Sequence, residues 1–167
     1  MKANLISIVI PVFNAEETIE PLVKNIIDEL SGEQPLEIIL VNDYSDDNSE
    51  EKCINIFQKN PKFIKFYSLA KNVGEHNAVM AGLNNTEGDY VVIMDDDFQN
   101  PVTEVAKLIN YAKGSDLDVV YTFYSKKHHS FLRNLGSKFN DFVATIMLKK
   151  PKNLYLSSFK ILNKFIS

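Results

Sequence analysis

Tyr90-Val91-Val92-Ile93-Met94-Asp95-Asp96-Asp97-Phe98-Gln99-Asn100-Pro101 is the stretch around which the rest of the chain is read. A short apolar run bounded by Gly88-Asp89 and Asn100-Pro101 reads as a buried strand. It runs directly into three consecutive carboxylates. In an α/β sheet the ligand crevice lies beyond the carboxyl ends of the strands, which puts Asp95, Asp96 and Asp97 at its mouth. Their mutual repulsion calls for positive charge, and a hard divalent cation held by oxygen ligands is the natural candidate. The plain alternative is an acidic turn favouring the N-terminus of the next helix through its dipole.

Outward from that strand, strand and helix patterns alternate. Residues 5–10 form an apolar strand expected to stop at Pro11. Asn14, with Glu17 three residues on, has the capping-box pattern and opens a helix through Ile19, Leu22, Val23, Ile26, Ile27 and Leu30. Residues 36–41 are a second strand ending at Asn42-Asp43, followed by a helix through Cys53, Ile54 and Phe57. Residues 63–69 alternate as a third strand, and the loop 71–74 leads to a helix carrying Ala78, Val79, Ala81, Gly82 and Leu83. After the central strand, Pro101 fits the first position of a helix with Val105, Leu108, Ile109 and Ala112 inward. Residues 118–124 are a fifth strand, 131–148 read as helical, and 154–166 are ambiguous between strand and helix.

This alternation predicts an α/β fold, a mostly parallel sheet with helices on both faces. Phe13-Asn14, Asn42-Asp43, Lys71-Asn72 and Asp95-Asp97 all fall just past a predicted strand. Each has a plain reading, as a cap, a turn or a loop with positive φ. Together they describe one crevice.

The 167 residues suit one domain, and a net charge of −4 argues against a nucleic-acid binder. Cys53 is the only cysteine, so no internal disulfide forms, which fits a reducing compartment. No apolar run approaches the roughly 18 residues needed to span a bilayer, and the N-terminus does not read as a signal peptide. The dinucleotide fingerprint G-x-G-x-x-G and the phosphate loop G-x-x-x-x-G-K-[ST] are both absent. An aspartate-nucleophile phosphatase fits less well, because Phe98 and Gln99 stand where such enzymes carry a hydroxyl residue.

With these residues in hand, the chain from Ser7 to about Tyr124 resembles the family 2 glycosyltransferases of the GT-A fold, a Rossmann-like nucleotide-diphospho-sugar transferase architecture. Ile8-Val9-Ile10-Pro11-Val12-Phe13-Asn14-Ala15-Glu16 is similar to the family's opening strand and loop. Val41-Asn42-Asp43-Tyr44-Ser45-Asp46-Asp47 is similar to its nucleobase-binding D-D-x-S-x-D turn, with Asn42 in place of the first Asp. Asn72-Val73-Gly74-Glu75-His76-Asn77-Ala78 with Gly82 resembles its N-x-G-x-x-x-A-x-x-x-G segment. Asp95-Asp96-Asp97-Phe98-Gln99-Asn100-Pro101 resembles the D-x-D-x-Q-[DHN]-P variant of the polyprenyl-phosphate branch, which includes dolichyl-phosphate mannose synthases and undecaprenyl-phosphate sugar transferases.

The resemblance implies an inverting transfer from a nucleoside-diphosphate sugar to a polyprenyl phosphate. Asp95 and Asp97 are the expected catalytic pair, and Asp95, Asp97 and Gln99 the ligands of Mg²⁺ or Mn²⁺. Pro11, Phe13, Glu16, Asp43, Asn72, Gly74, His76, Asp95 and Asp96 are the expected donor contacts, with Asp96 itself pointing away or backing up its neighbours. Arg133 and Lys138 are expected at the acceptor phosphate, in a cluster with Lys126 and Lys127 that has fewer Arg than relatives carry. The implied organisation is a single catalytic domain, 1–167, with a nucleotide-binding part at 5–124 and an acceptor-side part at 125–167 that looks truncated. Two other readings stay open: transfer to a saccharide hydroxyl in surface-glycan assembly, and an inactive nucleotide-binding remnant. The expected location is the cytoplasm or the inner face of a membrane, with a membrane surface or membrane protein as partner.

Overall fold

The computed structural model describes residues 4–32, 34–115, 117–122 and 157–164. Its elements run β1 (Ile6–Val12), α1 (Ile19–Leu30), β2 (Leu36–Asn42), α2 (Ser49–Lys59), β3 (Ile64–Ser68), α3 (Glu75–Leu83), β4 (Tyr90–Ile93), α4 (Val102–Gly114), β5 (Val119–Tyr121) and β6 (Lys160–Asn163). They form one six-stranded sheet in the order β3-β2-β1-β4-β6-β5. The pairs β1–β2, β2–β3 and β1–β4 are parallel, and β4–β6 is antiparallel. By backbone proximity the chain divides into Met1–Val120 with Ser158–Ser167, and Tyr121–Ser157. The first of these units carries α1 to α4, β1 to β4 and β6.

Alternation of side chains along the strands divides the core into two layers. Ile6, Ile8, Ile10, Ile38, Leu40 and Val92 face α1, α2 and α4, whereas Val9, Ile39, Val41, Val91 and Ile93 face α3. Strands buried on both faces read as continuous apolar runs, which is why β1 and β2 stand out in the sequence. α3 lies close to the sheet because Gly82 has no side chain: a Cβ there would fall 2.4 Å from Val9 Cγ1 and 3.2 Å from Val41 Cγ2.

From β1 the chain winds outward through β2 to β3, then returns to the other side of β1 with β4. That reversal opens a crevice beyond the carboxyl ends of β1 and β4. At the opposite end a polar knot fastens the entry to β4. The fully buried Ser7 Oγ donates to Glu37 Oε1 at 2.5 Å and accepts from Gly88 N at 2.8 Å, while Lys65 Nζ bridges Glu37 (2.8 Å) and Glu87 (2.7 Å). Burial works against charge on Glu37, but bonds from Lys65, Ser7 and Glu87 N outweigh it and hold its carboxyl below the usual range.

Several expectations are corrected. β1 passes through Pro11 to Val12. Val9 O accepts from Met94 N, so Pro11, two residues on, turns its missing N–H toward the side where β4 has already ended. α1 begins at Ile19 after Thr18, and Asn14 is not its cap. α2 is the expected helix through Cys53, Ile54 and Phe57, and it buries Ser49, Cys53 and Ile56 while Ile54 and Phe57 stay exposed. Burial pushes the Cys53 thiol up to about 12, so it packs and does not react. Pro101 sits one place before α4, at its N-cap, and β5 covers only part of the expected strand 118–124. Within the ambiguous stretch, residues 160–163 form β6. The expected helix 131–148 lies outside the described residues, among which no helix is long and apolar enough to cross a membrane.

Candidate active site

The crevice holds a cavity of about 400 Å³ lined by Pro11, Val12, Phe13, Asp43, Asn72, Gly74, Glu75, Asp95, Asp96 and Asp97. Pro11 and Val12 end β1, and the others follow β1, β2, β3 or β4, or open α3. Five of the ten carry carboxylates and none is basic.

Two interlocked loops, those after β1 and β2, contribute Phe13 and Asp43 to the cavity lining. Asn14, at φ 54°, accepts from Asp46 N through Oδ1 (2.9 Å) while its own N–H donates to Ser45 Oγ (3.1 Å). Ala15 N donates to Ser49 Oγ (2.7 Å) and Glu16 N to Asp47 Oδ2 (3.1 Å); Glu16 Oε2 in return accepts from Asn48 N (3.0 Å) and Nδ2 (2.8 Å). Burial opposes charge on Asp47, but donors from Ser49 and Glu16 hold its carboxyl below the ordinary range. The Asn42 amide does what a carboxylate could not, accepting from Ser45 Oγ (2.6 Å) and donating to Ser68 Oγ (3.1 Å). Glu16 therefore serves the entry to α2 and is absent from the cavity wall.

Asp43, only 2% exposed, grips the loop after β3. Its Oδ1 accepts from Val73 N and its Oδ2 from Gly74 N, both at 2.8 Å. Gly74 has φ 88° and ψ 152°, backbone space open to glycine, and this kink starts α3 beside the cavity. One buried carboxylate thus holds the wall made by Asn72, Gly74 and Glu75. His76, on the first turn of α3, is exposed and outside that wall.

The three consecutive carboxylates each receive their own donors. Ser158 Oγ donates to Asp95 Oδ2 at 2.6 Å, and Asn100 Nδ2 lies 3.5 Å from the same oxygen. Phe13 N donates to Asp96 Oδ2 at 3.1 Å, so Asp96 turns toward the loop after β1. Gln99 donates to Asp97 through its backbone N (3.0 Å) and its Nε2 (2.6 Å). Burial first, then the charges of Asp97 and Asp95, raise the Asp96 carboxyl to about 6 against the bond from Phe13. Asp97 and Gln99 are exposed. Phe98 between them stands at φ 60°, a strained conformation of the kind concentrated at binding sites.

Sequence reasoning missed Ser158 and Lys160. Lys160 opens β6 and Ser158 lies two residues before it, and the antiparallel course of β6 brings this end to the carboxyl end of β4. Alternation within a strand too short to read gave no signal for them. Arg133 and Lys138 lie outside the described residues.

The glycosyl transferase family 2 model matches residues 7–166. The chain is 37% identical over 138 residues to the undecaprenyl-phosphate 4-deoxy-4-formamido-L-arabinose transferase of Proteus mirabilis, covering 82% of this chain and 42% of that protein. The same-named protein of Pectobacterium atrosepticum is 38% identical over 134 residues, covering 80% and 41%. The chain thus spans about two-fifths of the length of these curated relatives. Among solved structures, Mycobacterium tuberculosis glucosyl-3-phosphoglycerate synthase in complex with Mn²⁺, UDP and glucosyl-3-phosphoglycerate superposes with a TM-score of 0.75 at 20% identity, over 98% of this chain and 58% of that one. A Pyrobaculum calidifontis mannosyltransferase in complex with GDP-Man and Mn²⁺ gives 0.70 at 16% identity, over 99% and 46%. These likenesses show the GT-A fold. With the family model spanning nearly its whole length, the chain belongs to glycosyl transferase family 2.

Proposed function

We propose that the chain carries the donor-binding core of a metal-dependent glycosyltransferase, moving a sugar from a nucleoside diphosphate to a polyprenyl phosphate, with inversion. The observation that carries this reading is the single cavity in which Asp95 and Asp97 face the loops after β1, β2 and β3. The relatives' name supports the acceptor class.

The donor set fits a hard divalent ion, Mg²⁺ or Mn²⁺. Such ions are commonly held by one or two carboxylates with substrate phosphate oxygens completing the shell, and Asp95 and Asp97 offer carboxylate oxygens on the cavity wall. Asp97, Asp95 and the amide oxygen of Gln99 would hold the ion, and Gln99 Nε2, which donates to Asp97, would also orient that carboxylate. Such an ion, when bound, would offset the charge that gathers on the departing nucleoside diphosphate.

The protein's own residues do the positioning. Phe13, 45% exposed on the cavity wall, offers a face to the nucleobase. Asp43 holds the strand-to-helix wall in place, and the N-terminus of α3 favours anionic oxygens. A phosphate acceptor is already an anion and needs no general base, only alignment with the anomeric carbon. In this reading residues 5–124 bind the donor, and residues 125–167, with Arg133 and Lys138, serve the acceptor at the inner face of a membrane.

The test is calorimetric titration of UDP and GDP with and without Mn²⁺, followed by turnover with a short polyprenyl phosphate. Asp97→Ala should abolish the Mn²⁺-dependent part of binding, and Asp96→Ala should be milder. Equal losses would overturn the assignment of roles. Binding without any turnover would mark a nucleotide-binding remnant, and turnover on a saccharide hydroxyl alone would replace the lipid acceptor.

A further inference from the structure

The cavity wall is crowded with acid, whereas both substrates of the proposed reaction bring phosphate. A cation is needed close by, and β6 supplies one. In the antiparallel pairing Lys160 stands opposite Ile93, on the α3 side of the sheet, and Ile93 is two residues before Asp95. The neighbouring Ser158 touches Asp95 directly at 2.6 Å, which fixes this end of β6 against the carboxylates. Lys160 is half-buried, and the charges that act on its ammonium include those of Glu75 and Asp95, both on the cavity wall. Burial weakens its charge, the two carboxylates sustain it, and its proton affinity ends below that of an ordinary lysine. A half-buried ammonium one strand away from the end of β4, within the field of two cavity-wall carboxylates, differs from a solvated surface lysine. It loses little water on meeting an anion and is already aimed by its neighbours.

We propose that Lys160 is a substrate-binding residue that contacts a phosphate of the transfer reaction from the β6 side of the cavity, with Ser158 holding Asp95 in register beside it. The proposal rests on the donor-transfer reading above. It adds a site element contributed by the far end of the chain, beyond the carboxylate motif. The shared chemistry is a phosphate oxyanion, from either the donor diphosphate or the acceptor lipid, with Glu75 and Asp95 limiting how deeply the anion enters.

The experiment uses the full chain with Lys160→Met, Lys160→Gln and Lys160→Arg. Folding is checked by circular dichroism and thermal midpoint, so that one of the two neutral variants suffices if the other fails to fold. UDP and GDP are titrated in the presence of Mn²⁺, and the KM for a short polyprenyl phosphate is measured at saturating donor. A charge-assisted contact predicts a loss of about tenfold or more in the neutral variants, with substantial recovery in Lys160→Arg. Loss in the nucleotide titration assigns the donor diphosphate; loss confined to the acceptor KM assigns the lipid phosphate. Unchanged nucleotide affinity and acceptor KM in a folded neutral variant overturn the proposal, as does an equal loss in Lys160→Arg. A wild-type chain that binds neither nucleotide with Mn²⁺ refutes the donor-transfer reading itself, a result distinct from those of the variants.

Discussion

Asp43→Asn isolates the part of the site that the fold must hold in place. The native carboxylate accepts one backbone N–H on each oxygen, from Val73 and from Gly74, both at 2.8 Å. An asparagine keeps one acceptor and turns an NH₂ toward the other N–H, donor against donor. One hydrogen bond to a charged group is lost, about 1.5–3 kcal/mol, and an amide near a 2%-exposed side chain is left without an acceptor. Together these give a loss of about 2–4 kcal/mol, which for a chain of this size lowers the thermal midpoint by about 4–16 °C. The wall of Asn72, Gly74 and Glu75 loosens at the same time, so nucleotide affinity should fall by about tenfold or more. Thermal melts, hydrogen exchange at the amides of Val73 and Gly74, and nucleotide titration form the assay. If the midpoint and both exchange rates stay at wild-type values while nucleotide affinity collapses, the reasoning is refuted, and Asp43 serves the ligand directly.

Two further outcomes concern the packing and the polar knot. Gly82→Ala gains about 1 kcal/mol of helix propensity but forces a contact of 2.4 Å with Val9 Cγ1, an overpacking cost of about 1–3 kcal/mol. Urea unfolding should show a net loss of about 1 kcal/mol, and a stabilised variant would mean that α3 does not rest on Val9. Glu37 has its folded proton affinity depressed, so its contribution is present above its unfolded value of 4.5 and is lost as pH falls through the lower folded value. Wild-type stability should therefore drop below about pH 4.5, whereas Glu37→Gln should start about 1.5–3 kcal/mol lower at neutral pH and show a flatter acid limb. Parallel curves for the two proteins would remove Glu37 from the acid response.

The elements most legible in sequence were those whose burial is complete. β1, β2 and β4 are apolar on both faces, and the inward positions Val105, Leu108, Ile109 and Ala112 of α4 follow its 3.6-residue period. Errors arose where a side chain spent its hydrogen bonds on another loop. Asn14 with Glu17 has the local pattern of a helix start, but the Asn14 amide is engaged by Asp46 N and the backbone turns left-handed, delaying α1 to Ile19. Glu16 is expected at the donor through the family resemblance, and its carboxylate accepts from Asn48, 32 positions away, a bond that the sequence does not mark. In α2, Cys53, Ile54 and Phe57 satisfy a helical spacing as well as Ser49, Cys53 and Ile56 do, and only tertiary packing chooses between the stripes. The acidic cluster was plain from composition. The donor to Asp95 was not, because Ser158 reaches it from 63 positions away.

β6 also governs when this protein can finish folding. Tyr90 pairs with Asn163, so the outer edge of β4 waits on the order of seventy residues for its neighbour. At a synthesis rate of about 5–20 residues per second, that is several seconds during which a nascent chain on the ribosome presents Val91 and Ile93 beside unpaired backbone. A strand edge so placed is open to chaperone engagement and to self-association until β6 has emerged from the ribosome to cover it.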